Sequence, residues 1–126
     1  MHTKLFKLSF YVLIFLLISC SNDVKMYMGP ELDPSEESML RIKPFFIDCT
    51  IISIDNYSMK DYTFPPGGTD FRLMPGEHTI ILDIGKFIFK TSPGHSYSFQ
   101  CSPIEVKFYD IYCYNCSMEA TFLSNR

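Results

Sequence analysis

What this chain lacks narrows its possible roles before anything positive is read from it. Its longest apolar run, Leu8 to Ile18, is only about ten residues, against the roughly 20 that a helix needs to cross a bilayer. It has no surplus of positive charge: 11 Lys and Arg stand against 14 Asp and Glu, for a net charge of −3. Nucleic-acid binding needs clustered cations to neutralise phosphates, so that class of partner is excluded. No internal repeat, low-complexity tract or long helical periodicity is present. There is no Gly-x-Ser-x-Gly elbow for a hydrolase. The glycine segments PPGG (65–68) and PGEH (75–78) do not lead into a helix that would cradle phosphate.

What is there begins with an export signal. Lys4 and Lys7 precede the apolar run, and the length and flanking charge are those of a secretory signal spanning residues 1–19. The run stops at Leu17-Ile18-Ser19-Cys20, which resembles the lipobox of bacterial lipoproteins. That resemblance implies cleavage before Cys20 and acylation of its sulfur, usually with acylation of the new amino terminus too. Multiple chains matter physically, because each buried methylene contributes about 0.8 kcal/mol and one chain alone holds a protein only marginally. Ser21 follows Cys20, where retention in the inner membrane of Gram-negative bacteria commonly goes with Asp. The resemblance therefore implies the outer membrane. Loss of residues 1–19 removes Lys4 and Lys7 and no acidic residue, so the mature chain is still more acidic. It is long enough for one compact domain.

With Cys20 acylated, Cys49, Cys101, Cys113 and Cys116 remain, and four cysteines in an oxidising compartment allow three pairings. Cys49 alternates with Ile47 and Ile51, and Cys101 with Tyr97 and Phe99, so both side chains point inward from strands. The two are either bridged or buried as thiols. Cys113 and Cys116 are then left to each other or free. Their CxxC spacing suits disulfide exchange when it opens a helix, where the dipole lowers the thiol pKa. Here it follows a strand, and the expected role is an inert bridge across a tight turn. Two cysteines with His78 and His95 would form a chemically reasonable zinc set. The histidines are far apart in separate turns, however, and are read as turn and strand-edge residues. No metal and no cofactor is expected. Glu36 and Glu37 are read as a solvated pair offsetting a helix dipole.

The order of elements follows from punctuation and period. Residues 20–30 read as a lipidated tether and 31–126 as the domain. Asp33, Pro34 and Glu36 form a helix-start pattern, predicting one short helix over Pro34 to Leu40. Beyond Pro44 the period becomes two, with strands at Ile47–Asp55, Tyr62–Phe64 and onward. About seven strands with frequent turn signals predict a mainly β fold, an antiparallel β-sandwich or partly open barrel.

Four segments together resemble a group of small bacterial lipoproteins of uncharacterised function. They are Tyr27-Met28-Gly29-Pro30, Ile54-Asp55-Asn56, Leu73 to His78 and Pro93 to Tyr97. LMPGEHTI (73–80) also resembles the PEGA type of surface β-domain. Asn56 stands where relatives carry glycine, and Asn tolerates the same left-handed turn. The resemblance implies an envelope protein and assigns no catalytic residue.

The expectation is a non-enzymatic structural or interaction module, attached to the membrane through its lipid and open to an envelope protein partner. The alternative is an envelope thiol-disulfide protein using Cys113 and Cys116. A third reading is inhibitor-like binding through the loop Pro65 to Thr69. Phe45, Phe46, Phe87, Phe89, Phe108, Tyr109, Tyr112 and Tyr114 supply more aromatic surface than a small core needs, and an exposed patch among them would mark a contact face.

Overall fold

Alternating apolar and polar residues become ten strands in the computed structural model, which describes residues 22–113 and 118–125. In chain order they are β1 (Asn22–Lys25), β2 (Ser38–Ile42), β3 (Ile51–Ile54), β4 (Tyr57–Ser58), β5 (Thr69–Leu73), β6 (Gly76–Leu82), β7 (Gly85–Thr91), β8 (Ser96–Ser102), β9 (Glu105–Asp110) and β10 (Ala120–Ser124). One 3₁₀ turn, Pro44–Phe46, lies between β2 and β3. The strands form two five-stranded sheets, ordered β1-β5-β2-β8-β9 and β10-β7-β6-β3-β4. The β-sandwich reading holds, and neither sheet closes into a barrel.

The core sits between the sheets because each strand buries alternate residues. Leu40 and Ile42 from β2, Phe71 and Leu73 from β5, and Phe99 and Cys101 from β8 face Ile54, Ile80, Leu82, Phe87 and Phe89 from the other sheet. A seam of rings joins the two layers. Phe87 lies 5.4 Å from Phe99 and from Phe108, and Phe89 lies 5.0 Å from Phe108. Tyr97 stacks on Phe108 at 5.1 Å. Such offset and edge contacts are the favourable geometries for aromatic pairs.

Four sequence expectations are corrected. The helix over Pro34 to Leu40 is absent: Glu36 and Glu37 donate their N–H groups to the Asp33 carbonyl, closing one turn, and the chain then enters β2. Leu40 and Ile42 alternate with Arg41, and β2 is bonded on both sides, to β5 and β8. Ladder bonds and burial on both flanks outweigh a local capping pattern. Glu37 is accordingly buried and accepts a hydrogen bond from the Tyr27 hydroxyl, so it is not part of a solvated pair. The described residues form ten strands where about seven were expected; β1, β2 and β4 were not read as strands, and Tyr62–Phe64 is not one. Finally, the pairing is mixed: β1–β5 and β2–β8 are parallel.

The segment read as a tether also changes character. Asn22–Lys25 is an edge strand, with Asn22 opposite Thr69 and Lys25 opposite Arg72. Arg72 secures it by ion pairs to Asp23 (3.2 Å) and to Glu31 (2.9 Å) in the loop beyond. The chain thus joins the sandwich from residue 22 onward.

Cys49 and Cys101 form a disulfide with a Cα–Cα distance of 5.9 Å, within the usual range. Cys49 is not in a strand. It lies in the bend before β3, brought to β8 by the bridge between Ile47 and Cys101 and by the Asp48 N–H bonded to the Cys101 carbonyl. The crosslink joins β8 of one sheet to the approach of β3 in the other and spans 52 residues. A loop of that length restricts the unfolded chain substantially. The double variant Cys49→Ala/Cys101→Ala is expected to unfold with about 2–4 kcal/mol less stability in urea titrations. An unchanged unfolding midpoint would show the crosslink to be energetically idle.

Candidate functional site

The parallel and antiparallel registers give the sandwich two distinct ends. At one, here the entry end, β1 and β5 begin and β2 and β8 finish. At the other, the far end, two histidines each meet an aspartate from a distant part of the chain.

His78, the third residue of β6, is buried. Its Nδ1 donates to Asp55 Oδ2 at 2.5 Å and its Nε2 to the Met74 carbonyl at 2.6 Å. Both facing atoms are acceptors, an arrangement that favours the ring with hydrogens on both nitrogens, the imidazolium. Burial is the largest single influence and favours the neutral ring. It is outweighed by the hydrogen bonds that the ring donates to Asp55 and to the Met74 carbonyl and by the Asp55 charge, so the pKa lies above 6.5. Asp55 is held in turn by the Thr79 N–H at 2.8 Å. Asp55 (φ 49°) and Asn56 (φ 71°) are both left-handed, forming the tight turn between β3 and β4. His78 therefore ties that turn to the β5–β6 connection.

His95 is arranged differently. The turn Ser92 to His95 links β7 to β8, and the ring stacks near Tyr97, 6.3 Å away. Its Nδ1 meets Asp110 Oδ2 at 2.5 Å. The Asp110 carboxylate is 2 % exposed while the His95 side chain is 37 % exposed. Oδ1 of Asp110 accepts the Tyr112 N–H at 3.0 Å, which fixes the carboxylate from the other side. Carboxylate support at Nδ1 sets ring orientation and leaves Nε2 as the nitrogen able to meet a ligand. His95, Tyr97 and Asp110 line a cleft of about 360 Å³ with Lys90, Ser92, Met118 and Glu119. The cleft holds both signs of charge and a supported imidazole, a combination suited to recognising a polar group. His78 has both nitrogens committed within the protein, so of the two only His95 can serve a ligand.

The other candidate residues fall in separate places. Cys49 and Cys101 are paired with each other at the entry end. Cys113 is half-buried and is also in a disulfide, whose partner lies outside the described residues, as do Cys116, Cys20 and Tyr114. Among the described residues no group of three or more His, Cys, Asp or Glu side chains is placed to hold a metal ion. None of their helices is long and apolar enough to cross a membrane. The loop Pro65 to Thr69 is a turn closed by the Gly68 N–H on the Pro65 carbonyl, and Thr69 is buried. Of the aromatic residues considered for an exposed patch, Phe87 and Phe89 are core, Phe108 packs against it, and Phe45, Phe46, Tyr109 and Tyr112 are exposed.

Sequence reasoning missed both His–Asp pairs. His78, expected as a turn or strand-edge residue, is instead buried inside β6; each histidine follows a glycine-containing turn, but its aspartate is 23 or 15 residues away, and only the sheet register brings them together.

The raised pKa of His78 gives a stability signature whose sign is fixed. Its contribution is complete below the unfolded value near 6.5 and is lost as pH rises through the higher folded value. Urea unfolding followed from slightly acidic to alkaline pH is expected to show the wild-type advantage over His78→Gln shrinking across that window. An advantage constant with pH would overturn the imidazolium assignment. Comparison with known proteins gives no matching family model, no matching curated protein and no matching solved structure.

Proposed function

We propose that this chain is a lipid-anchored envelope module with a non-enzymatic role, attached through Cys20 and presenting its far end to an envelope protein partner. The observation that carries the reading is the Cys49–Cys101 crosslink between the two sheets. Disulfides of this structural kind persist in exported proteins and are rare in reducing compartments. They agree with the signal-like segment over residues 1–19 and the lipobox-like Leu17 to Cys20.

A binding role fits the use made of the polar side chains. His78 and Asp55 hold two turns together, and Arg72 holds the edge strand. The His95–Asp110 pair is likewise anchored, by the short turn that leads into β8 and by the end of β9, rather than on a long loop. Such a site presents a fixed charge pattern in a shallow cleft, which suits recognition of a polar segment of another protein.

Metabolic labelling with an alkyne analogue of palmitate tests the anchor. The mature protein is expected to carry label and sediment with outer membranes, and Cys20→Ser is expected to lose the label. An unlabelled wild-type product, or label retained by the variant, would overturn the anchoring reading.

A further inference from the structure

The chain enters the sandwich with almost no slack. Asn22 donates its backbone N–H to the Gly68 carbonyl and its Nδ2 to the Tyr62 hydroxyl, both at 3.0 Å, and it pairs with Thr69 at the start of β5. Cys20 is two residues upstream. Two residues span at most about 7 Å when extended, so whatever Cys20 carries is held close to the entry end.

The registers identify what else lies at that end. Thr69 faces Ile42 at the end of β2, so Lys43 and the turn Pro44–Phe46 follow there. The 65–68 turn is pressed against them: Gly68 has φ +90°, and a Cβ on it would lie 2.7 Å from the Ile42 carbonyl oxygen. Because β2 and β8 are parallel, β8 also finishes at this end, where the Ser102–Glu105 pair closes the β8–β9 hairpin and Pro103–Ile104 forms its tip. The side chains displayed are large and apolar: Phe45 is 78 % exposed, Phe46 53 % and Ile104 92 %. Between the phenylalanines and the hairpin is a cleft of about 200 Å³, which Gln100, Cys101 and Glu105 also line. The disulfide braces this end by joining its two sheets.

An isolated exposed apolar residue needs no explanation. Three on neighbouring turns, at the end from which a lipid-bearing residue would emerge, have a natural occupant. We infer that Phe45, Phe46 and Ile104 insert into the headgroup and upper acyl region of the bilayer, so that the sandwich stands end-on with its entry end down. This inference rests on the anchoring reading of Cys20. The charges around the tips nearly cancel, with Lys43 and Lys107 against Asp48, Asp83 and Glu105, so apolar insertion and not attraction to anionic lipid drives the contact. The seven residues of β8 span roughly 23 Å, which holds the His95–Asp110 cleft well clear of the surface.

The chain contains no tryptophan, so one introduced residue reports alone. The acylated full chain is reconstituted into phosphatidylethanolamine and phosphatidylglycerol vesicles, with and without lipids brominated high on the acyl chain, and flotation is checked in each sample. Phe45→Trp, and separately Ile104→Trp on its own exposed turn, are expected to show blue-shifted emission quenched by the brominated lipid, insensitive to salt. Tyr112→Trp, at the far end, is expected to stay red and unquenched. Reporters at 45 and 104 that stay unquenched in floating vesicles would overturn insertion while leaving the anchor standing, as would quenching at 112 instead. Failure of the wild-type chain to float would overturn the anchor itself, and insertion with it.

Discussion

The seam of rings between the two sheets is the interaction on which the rest of this structure depends. Phe87 and Phe89 from one sheet and Tyr97, Phe99 and Phe108 from the other occupy the midline of the sandwich with centroids 5.0–5.4 Å apart. Large flat side chains bury much area for little rotamer entropy, and their quadrupoles penalise arbitrary orientation. A one-residue slip of β7 or β8 would turn these rings outward and replace them with Lys86, Lys90 or Gln100. Register is therefore specified strongly at the centre, and both ends inherit it. Asp110 meets His95 because Tyr97 is opposite Asp110 in that same ladder. Cys101 meets Cys49 because Phe99 is already packed.

The polar side chains then act at the periphery of this frame, and they do so unequally. His78 is enclosed and spends both nitrogens on neighbours, which makes it a fastener whose strength depends on charge. His95 spends one nitrogen on a buried carboxylate and lies at the wall of a cleft. Two histidines that each follow a glycine-containing turn thus receive different roles from their burial and their partners. Exposed ion pairs such as Lys90–Glu119, at 3.9 Å, add little to either.

The fold class was readable because period-two alternation is a local signal, most cleanly in β8, where the apolar Tyr97, Phe99 and Cys101 are the buried positions. The turn at Asn56 was readable from its Asx chemistry, whereas Asp55, expected as the end of a strand over Ile47–Asp55, belongs to that turn and the strand is shorter, Ile51–Ile54. Pairing of Cys49 with Cys101 was among the alternatives considered, although Cys49 reaches its partner from a bend and not from a strand. What escaped was non-local. The stretch Asp33 to Leu40 carries a helix-start pattern that only neighbours on both flanks override, and those neighbours, β5 and β8, come much later in the chain. Asn22–Lys25 has too few apolar residues to announce a strand, and it becomes one by lying along β5 under the pull of Arg72. The His–Asp pairs needed the registers themselves.

That edge strand gives the molecule a direction. Under the proposed attachment through Cys20, a flexible tether would let the domain tumble, and neither end would keep one orientation for long. A strand bonded along β5, bonded at its first residue to Gly68 and ion-paired through Asp23, transmits the position of the upstream chain to the whole sheet. Parallel pairing is the means. Had β1 run antiparallel to β5, residue 22 would have emerged at the far end, with His95 and Asp110, and the apolar tips at Phe45 and Ile104 would have lain at the pole opposite the chain's entry. With the observed pairing, the apolar tips lie where the chain enters and the supported imidazole lies at the opposite pole.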